Sequence, residues 1–344
     1  MGVGAWTLRI GVLAACLALG ACRRGGDEVV LYSSVDGPLL GQIVAEFERE
    51  SGVRVRVVGD TEATKSAGLI ERLLAEKDDP RCDVFWSSES LGVMQLSAAG
   101  VLAALPVAAP EGWPGELVDP GQRWIGLAQR ARVLVYSTRR VAEKDAPRRL
   151  RDLADPRFQG RVVMADPRFG TTRVHLAALV AAAGPGATRE WLVAMRENGV
   201  RLLSGNSAVV KAIALGEADV GVTDTDDVYS GRANGWPVAM VYEEPDAGPS
   251  GAGLPGYGAL VLPNSVALVR GGPHPRAGGR LIEFIVSARC EELLARSESR
   301  NVPARASLAA RLGLEIPRPW RPGAGALWAA LEPSARLSRE VLGR

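Results

Sequence analysis

The sequence predicts an α/β protein made of two units that enclose a cleft. From Val29 onward, short apolar runs alternate with amphipathic helical stretches, a pattern that favours parallel strands covered by helices. A Pro- and Gly-rich stretch over residues 106–121 interrupts this alternation, which then resumes and so indicates a second unit. The length of 344 residues also suits about two domains.

The N-terminal residues indicate export. Arg9 precedes an apolar run over residues 10–21, about half of the ~20 residues that a membrane-spanning helix needs. The run ends in Leu-Gly-Ala-Cys at residues 19–22, which resembles a bacterial lipobox. We therefore expect residues 1–21 to be a lipoprotein signal peptide, Cys22 to be lipidated, and residues 22–28 to form a tether. An ordinary secretory signal is the alternative. Both interpretations predict a location in the periplasm or on the outer cell-envelope surface.

The predicted elements follow from hydrophobic periodicity and from Gly and Pro stop signals. In the first unit they are strands at 29–32, 53–57 and 83–86, a helix with apolar residues Leu39, Leu40, Ile43, Val44 and Phe47, and helices at 69–74 and ending at Ala99. After the interruption they are strands at 131–137, 161–165, 219–223 and 238–242, and helices at 174–183, 191–198, 207–215 and 276–297. The apolar stretch 259–269 is broken at Pro263-Asn264, and the tail from Pro303 is helical in parts.

More than one strand crosses between the two units, so each lobe takes two segments of the chain. We assign residues 29–126 and 250–300 to lobe 1, and residues 127–249 and 301–344 to lobe 2.

Composition excludes several classes of protein. The 41 basic and 39 acidic residues are mixed along the chain, which does not indicate a nucleic-acid partner. Two histidines cannot form a multi-histidine metal site, and the cysteines lack C-x-x-C spacing. Cys82 and Cys290 form either a disulfide or two buried thiols, because sequence alone does not give their separation.

The segment Thr223-Asp224-Thr225-Asp226-Asp227 crowds three carboxylates at the end of a predicted strand. Like charges repel by roughly 1 kcal/mol per pair at about 4 Å even in water, so a positive group is expected nearby. A solvated loop with an N-cap aspartate is the alternative.

Other polar residues follow the remaining strands or begin helices. Asp36, after Ser34, and the pair Ser88-Glu89 could each be a ligand or a helix N-cap. Thr171, Thr172 and Asn206 begin predicted helices and could offer hydroxyls and backbone N–H groups to an anion, or act only as caps.

Together these residues resemble the periplasmic ferric-ion-binding proteins, the iron branch of the family 1 solute-binding proteins of ABC importers. The resemblance rests on residues 31–34, 83–87, 132–139, 206–219 and 262–265. It implies the two-lobed type II periplasmic binding protein fold, which closes on its ligand by hinge motion. It also implies a monomer without catalysis or a required cofactor, with iron as the transported ligand. The partners would be an ABC permease and ATPase, and the membrane through the N-terminal lipid.

The chain departs from this family at the expected ligands. Asp36 falls where the relatives have histidine, and Ser88, with Glu89 one residue later, falls where they have glutamate. Asp226 and Asp227 replace the paired iron-binding tyrosines. Positions that hold an anion fall on Thr172, Asn206 and Asp224, and the Asp224 carboxylate should repel an anion.

We therefore expect a cleft that binds iron(III) or another hard cation through carboxylates. Asp226 and Asp227 would be the principal ligands, with Asp36, Ser88 or Glu89 closing from the other lobe. The alternative is an organic solute. A phosphonate or phosphate ester would use Thr171, Thr172 and Asn206, assisted by Arg173, and an organic amine could stack on Trp86 or Tyr32.

Overall fold

The structure is a computed structural model that describes residues 27–35, 37–60, 67–246 and 253–343. The strands are β1 (Glu28–Ser33), β2 (Arg54–Gly59), β3 (Val84–Ser87), β4 (Trp124–Ser137), β5 (Val162–Ala165), β6 (Arg201–Leu203), β7 (Val220–Asp224), β8 (Val238–Tyr242), β9 (Ala259–Leu268) and β10 (Pro319–Trp320). The helices are α1 (Gly37–Ser51), α2 (Ala67–Ala75), α3 (Ser90–Ala98), α4 (Gly170–Glu197), α5 (Asn206–Leu215), α6 (Thr225–Ala233), α7 (Pro275–Ile285), α8 (Ala288–Arg296), α9 (Ala306–Leu312) and α10 (Ala324–Leu342). The predicted signal peptide and Cys22 lie outside these residues.

The strands form one path in the order β2-β1-β3-β9-β4-β7-β5-β6, with β8 beside β4 and β10 beside β9. At one end β1 is parallel to β2 and β3, and at the other β5 is parallel to β6 and β7. The two strands between these groups, β4 and β9, run antiparallel to their neighbours apart from the short β10. The prediction of parallel strands therefore holds within each lobe, whereas the junction is antiparallel.

Strand β4 belongs to both lobes. Its first half pairs with β9 beside β3, and its second half pairs with β7 and β8. The register shifts between Leu127 and Arg130, where Ala128 has a φ of 46°. Such a bulge bends a strand and changes the direction of its side chains. We call the group around β1–β3 lobe 1 and the group around β5–β8 lobe 2.

Each lobe buries apolar side chains on both faces of its strands. Two clusters in lobe 1 contain Trp86 and Phe85 respectively, and two in lobe 2 contain Met164 and Val163. The C-terminal helix α10 adds Leu327, Leu337 and Val341 to the same cluster as α4. Hydrophobic burial of this kind stabilises each lobe around its own core.

The two buried cysteines do not pair. Cys82 lies in one lobe 1 cluster and Cys290 in the other, and both are free thiols. Burial raises the pKa of both thiols, which keeps them protonated and unreactive at neutral pH. The structure therefore favours the alternative of two buried thiols over the disulfide.

Several element boundaries differ from the prediction. Strand β4 begins at Trp124 instead of residue 131, and β9 continues through Pro263. Pro263 lies opposite the β4 bulge, where the ladder is interrupted, so its missing N–H removes no ladder bond. The two helices expected before and after Gly184 are both present as the two segments of α4, which is kinked because Gly184 adopts a non-helical φ of 80°. The helix expected over 276–297 is two helices, and Ser287 caps the second.

None of the helices over the described residues combines the length and the apolar character that crossing a membrane requires.

Candidate ligand site in the cleft between the lobes

A polar cavity lies between the lobes, with about 700 Å³ of empty space including the solvent at its mouth. Lobe 1 contributes the turns after β1 and β3, and lobe 2 contributes the end of β7 and the starts of α4, α5 and α6. Ligands of α/β proteins commonly bind at such strand ends. The predicted site residues that line the cavity are Ser34, Ser88, Thr171, Thr172, Asn206, Asp224, Asp226 and Asp227. Asp36 lies outside the described residues.

The three aspartates of lobe 2 meet at one point. One carboxylate oxygen from each of Asp224, Asp226 and Asp227 lies within 4.8 Å of the other two. Asp224 ends β7 and occupies the N-cap position of α6, and the other two lie in the first turn of this helix. The positive end of the helix dipole favours negative charge there, which helps the chain to hold adjacent carboxylates.

Asp224 is buried, and both of its carboxylate oxygens accept hydrogen bonds. Arg132 Nη1 donates to Oδ1 at 2.7 Å and Arg130 Nε donates to Oδ2 at 3.2 Å. Thr171 Oγ1 and Asn206 Nδ2 donate to Oδ2 at 2.7 and 3.0 Å. Burial alone would raise the pKa of Asp224, but the two arginines outweigh burial and the pKa is lowered. The positive group expected near the aspartates is therefore confirmed, and the guanidinium groups offset the repulsion predicted for an anion.

Arg130 joins the two lobes across the cleft. Its guanidinium is buried and donates to the Ser88 carbonyl in lobe 1, and to Asn264 Oδ1 on β9 at 2.6 Å. On the lobe 2 side, Nε lies 3.5 Å from Asp226 Oδ2 as well as 3.2 Å from Asp224. Burial opposes the charge, but the surrounding carboxylates raise the pKa of Arg130, so the group remains a cation.

Arg132 fixes the wall of the cavity. Nη1 also donates to Asn206 Oδ1 at 3.0 Å, and Nε lies 3.3 Å from Nδ1 of the buried His175. Burial, reinforced by the charge of Arg132, lowers the pKa of His175 well below its usual range. The imidazole is therefore neutral at physiological pH and accepts the Arg132 hydrogen bond.

In lobe 1, Ser34 and Ser88 hold each other at the cavity wall. The Ser88 backbone N–H donates to Ser34 Oγ at 2.9 Å, and the two Oγ atoms lie 3.2 Å apart. Glu89 instead caps α3, where its carboxylate accepts the backbone N–H groups of Leu91 and Gly92 at 2.5 and 2.9 Å. Glu89 does not line the cavity, so the structure favours the cap over the ligand interpretation.

The helices α4 and α5 begin at the cavity, at Gly170 and Asn206. Thr171 and Asn206 place their side chains on Asp224, as described above, and Thr172 Oγ1 lies 3.4 Å from Arg132 Nη2. The first N–H groups of a helix have no partner within that helix, so these two helix starts are suited to a polar or anionic group.

The aromatic residues proposed for an organic ammonium do not serve this site. Trp86 is fully buried in the core of lobe 1. Tyr32 is also buried, its hydroxyl donates to Glu76 at 3.0 Å, and the Arg72 guanidinium lies 4.7 Å from its ring centroid. The cation–π interpretation is therefore wrong for both residues.

Sequence reasoning missed the contacts that Arg130, Arg132 and Asn264 make at the cavity wall. Arg130 and Arg132 are separated by one residue within a buried strand, so a common face for both could have been predicted from the alternation of side chains. Their partner Asp224 lies 92 residues from Arg132 along the chain, and no local pattern indicates that pairing.

The two lobes, the shared strands and the cleft together define a two-lobed binding protein of the type II periplasmic class. Residues 29–297 match the family described as bacterial extracellular solute-binding protein, and the chain belongs to this family.

Relatives within the family have been named for iron. Iron uptake protein A1 of Synechocystis is 27% identical over 282 residues, which span 79% of this chain and 74% of that protein. The Fe(3+)-binding periplasmic protein of Serratia marcescens is 32% identical over 209 residues, which span 60% of each chain. Iron-bound HitA from Pseudomonas aeruginosa shares the fold with a TM-score of 0.79 at 24% identity, over 92% of this chain and 99% of its own. The predicted resemblance to ferric-ion-binding proteins is thus confirmed.

A further relative has a different name. The putative 2-aminoethylphosphonate-binding periplasmic protein of Salmonella typhi is 23% identical over 345 residues, which span 95% of this chain and 96% of that protein.

Proposed function

We propose that this protein is the extracytoplasmic receptor of an ABC importer and binds iron(III) or another hard cation in the cleft. The observation that carries the proposal is the meeting of the Asp224, Asp226 and Asp227 carboxylates at one cavity wall. Carboxylate oxygens are preferred ligands of hard cations. The names of the relatives from Synechocystis and Serratia support iron as the cation.

Asp226 and Asp227 are the proposed principal ligands, because both line the cavity and Asp224 already accepts bonds from four donors. Ser88 lines the same cavity from lobe 1, and Asp36 remains a predicted ligand from that lobe. The cation is cargo, and no resident cofactor or catalytic step is part of the proposal.

The proposal extends to location and partners. Cys22 carries the lipid that holds the mature chain at the membrane, in the periplasm or on the outer cell-envelope surface. The protein works as a monomer and delivers its ligand to a permease and its ATPase. Replacement of Cys22 by Ser should abolish the mass increase that lipidation gives the mature N-terminus, as measured by mass spectrometry.

The first experiment is to purify the mature chain without chelators and measure bound elements by mass spectrometry, together with a phosphorus assay. We expect near-stoichiometric metal. The double variant Asp226→Asn/Asp227→Asn should then bind that metal at least a hundredfold more weakly while remaining folded. The exposed pair Asp78-Asp79 offers a matched control, because Asp78→Asn/Asp79→Asn makes the same chemical change far from the cleft. Equal affinity in the double variant and in the control would refute the proposed ligands.

A small organic anion is the second candidate. The starts of α4 and α5 line the same cavity, and the Salmonella relative spans nearly the whole chain. Absence of metal together with bound phosphorus would favour this candidate over the cation.

A further inference from the structure

We infer that Arg130 determines the cation selectivity of the cleft, as a built-in positive charge that keeps ordinary divalent cations from the aspartates. This inference rests on the proposed function, since it concerns the same carboxylates. Arg130 is a positioning residue here, because it acts on the cargo through Asp226 and Asp224.

The geometry shows which carboxylate Arg130 shares with a cation. Asp224 has Arg132, Thr171 and Asn206 as additional donors, so it stays bound when a ligand enters. Asp226 lies 3.5 Å from Arg130 Nε and lines the cavity. A cation that binds Asp226 therefore competes with the guanidinium for the same carboxylate.

The charges around the cluster are nearly balanced. Asp224, Asp226 and Asp227 supply three negative charges, and Arg130 and Arg132 supply two positive charges that lie within 3.5 Å of Asp224 or Asp226. Ca²⁺ binds through six to eight oxygen ligands, and its affinity increases with the number of uncompensated carboxylates. Because the positive and negative charges nearly cancel, the cluster attracts a divalent cation only weakly by its net charge. Tight binding therefore requires strong bonds to individual carboxylate oxygens.

Arg130 is held too firmly to move aside for a weak competitor. Its guanidinium is buried and donates hydrogen bonds to three parts of the fold. The acceptors are the Ser88 carbonyl in lobe 1, Asn264 on β9 and Asp224 in lobe 2. Removing the guanidinium would leave the carboxylates in place with one fewer opposing charge. The site would then suit a divalent cation better.

The test uses Ca²⁺ and Ga³⁺, a redox-inert trivalent probe, titrated calorimetrically into the mature protein. Arg130→Gln should bind Ca²⁺ at least tenfold more tightly than the wild type. Arg130→Lys, which keeps the charge, should stay within about threefold of the wild type. Arg81→Gln removes an exposed arginine far from the cleft and should match the wild type. Equal loss of Ga³⁺ binding in the Lys and Gln variants, with no gain of Ca²⁺ binding, would show a merely structural role.

A second variant covers the case in which Arg130→Gln does not fold. Asn264→Asp keeps the size of the side chain and places a carboxylate beside Arg130, where Asn264 Oδ1 now lies 2.6 Å from Nη1. It neutralises the guanidinium without removing it and should also raise Ca²⁺ affinity at least tenfold. An unchanged Ca²⁺ affinity in this folded variant overturns the inference.

The outcomes separate the two proposals. If the wild type binds Ga³⁺ and the variants gain no Ca²⁺ affinity, the inference fails and the proposed function stands. Should the wild type bind no metal, the proposed function fails and the inference fails with it, and a gain of Ca²⁺ affinity in the variants would then show only that Arg130 opposes cation binding to these carboxylates. Absence of cation binding in every protein overturns both.

Discussion

Asp224 is the residue on which the cavity wall depends, because it is the common acceptor of Arg130, Arg132, Thr171 and Asn206. Removing one partner of a buried ion pair commonly costs about 3–5 kcal/mol, since the remaining charge stays buried without compensation. We expect Asp224→Asn to lower the free energy of unfolding by about 3 kcal/mol or more in urea denaturation. The exposed Asp79→Asn should change it by less than about 0.5 kcal/mol. Similar values for both variants would contradict this account of Asp224.

Glu243 should make stability depend on pH. Its carboxyl is buried and accepts the Leu150 N–H at 2.9 Å, and burial raises its pKa to about 8. In the unfolded chain this carboxyl has the ordinary glutamate pKa of about 4.3. Between about pH 4.3 and pH 8 the folded state therefore binds more protons than the unfolded state. The stabilising contribution is complete below about pH 4 and is lost as pH rises through 8.

The variant Glu243→Gln tests this assignment, because glutamine stays neutral and its carbonyl can still accept the Leu150 N–H. We expect the difference in melting temperature, variant minus wild type, to increase steadily from pH 5 to pH 8. Parallel melting curves across that range would mean that Glu243 does not titrate as described.

At the scale of elements, the contact between β5 and β7 leaves no room at Gly221. A Cβ atom on this residue would lie 2.5 Å from the Val163 carbonyl oxygen of the neighbouring strand. We expect Gly221→Ala to lower the free energy of unfolding by about 1–3 kcal/mol, because the strands must separate. Gly41, in helix α1, has open space around its Cβ position, so Gly41→Ala should stabilise the protein by up to about 1 kcal/mol. Chemical denaturation gives the free energy of unfolding of both variants. Equal changes in this free energy would count against the close approach of the strands at Gly221.

Elements with strong local signals were predicted well from the sequence. Strand β8 was placed correctly at 238–242, and α5 ends at Gly216 in the left-handed conformation that its stop signal indicates. The first half of β4 was missed, because it is fully buried and lacks alternation of polar and apolar residues. The aspartate cluster could be predicted because its members lie within four residues of the chain, whereas its arginine partners come from a distant strand and depend on tertiary pairing.

At the scale of the whole molecule, a cation–π contact joins the lobes beside the cavity. Arg300, which follows α8 in lobe 1, lies over the ring of Tyr229 on α6 in lobe 2, with 4.9 Å between the guanidinium carbon and the ring centroid. Its neighbours Ser299 and Asn301 line the cavity. An exposed cation–π contact contributes about 0.5–1 kcal/mol, so we expect it to stabilise modestly the arrangement of the lobes in which Arg300 and Tyr229 meet.

Arg300→Ala should therefore weaken ligand binding about two- to fivefold, the factor that corresponds to this energy. Small-angle X-ray scattering should show a larger radius of gyration than for the wild type at a subsaturating ligand concentration. Tyr229→Phe retains the ring and should bind as the wild type does. A Phe variant as weak as the Ala variant would indicate that the hydroxyl, not the ring, makes the contact.

The position of β9 has a consequence for the maturation of the newly made chain. In the sheet β9 lies between β3 and β4, although more than a hundred residues separate its start at Ala259 from the end of either strand. Until β9 has been synthesised, the facing edges of β3 and β4 have no partner, and open strand edges promote aggregation. Lobe 1 therefore needs β9 as well as its N-terminal segment to complete its sheet. We expect the growing chain to stay incompletely folded until most of its length has been made, which would keep it suitable for export.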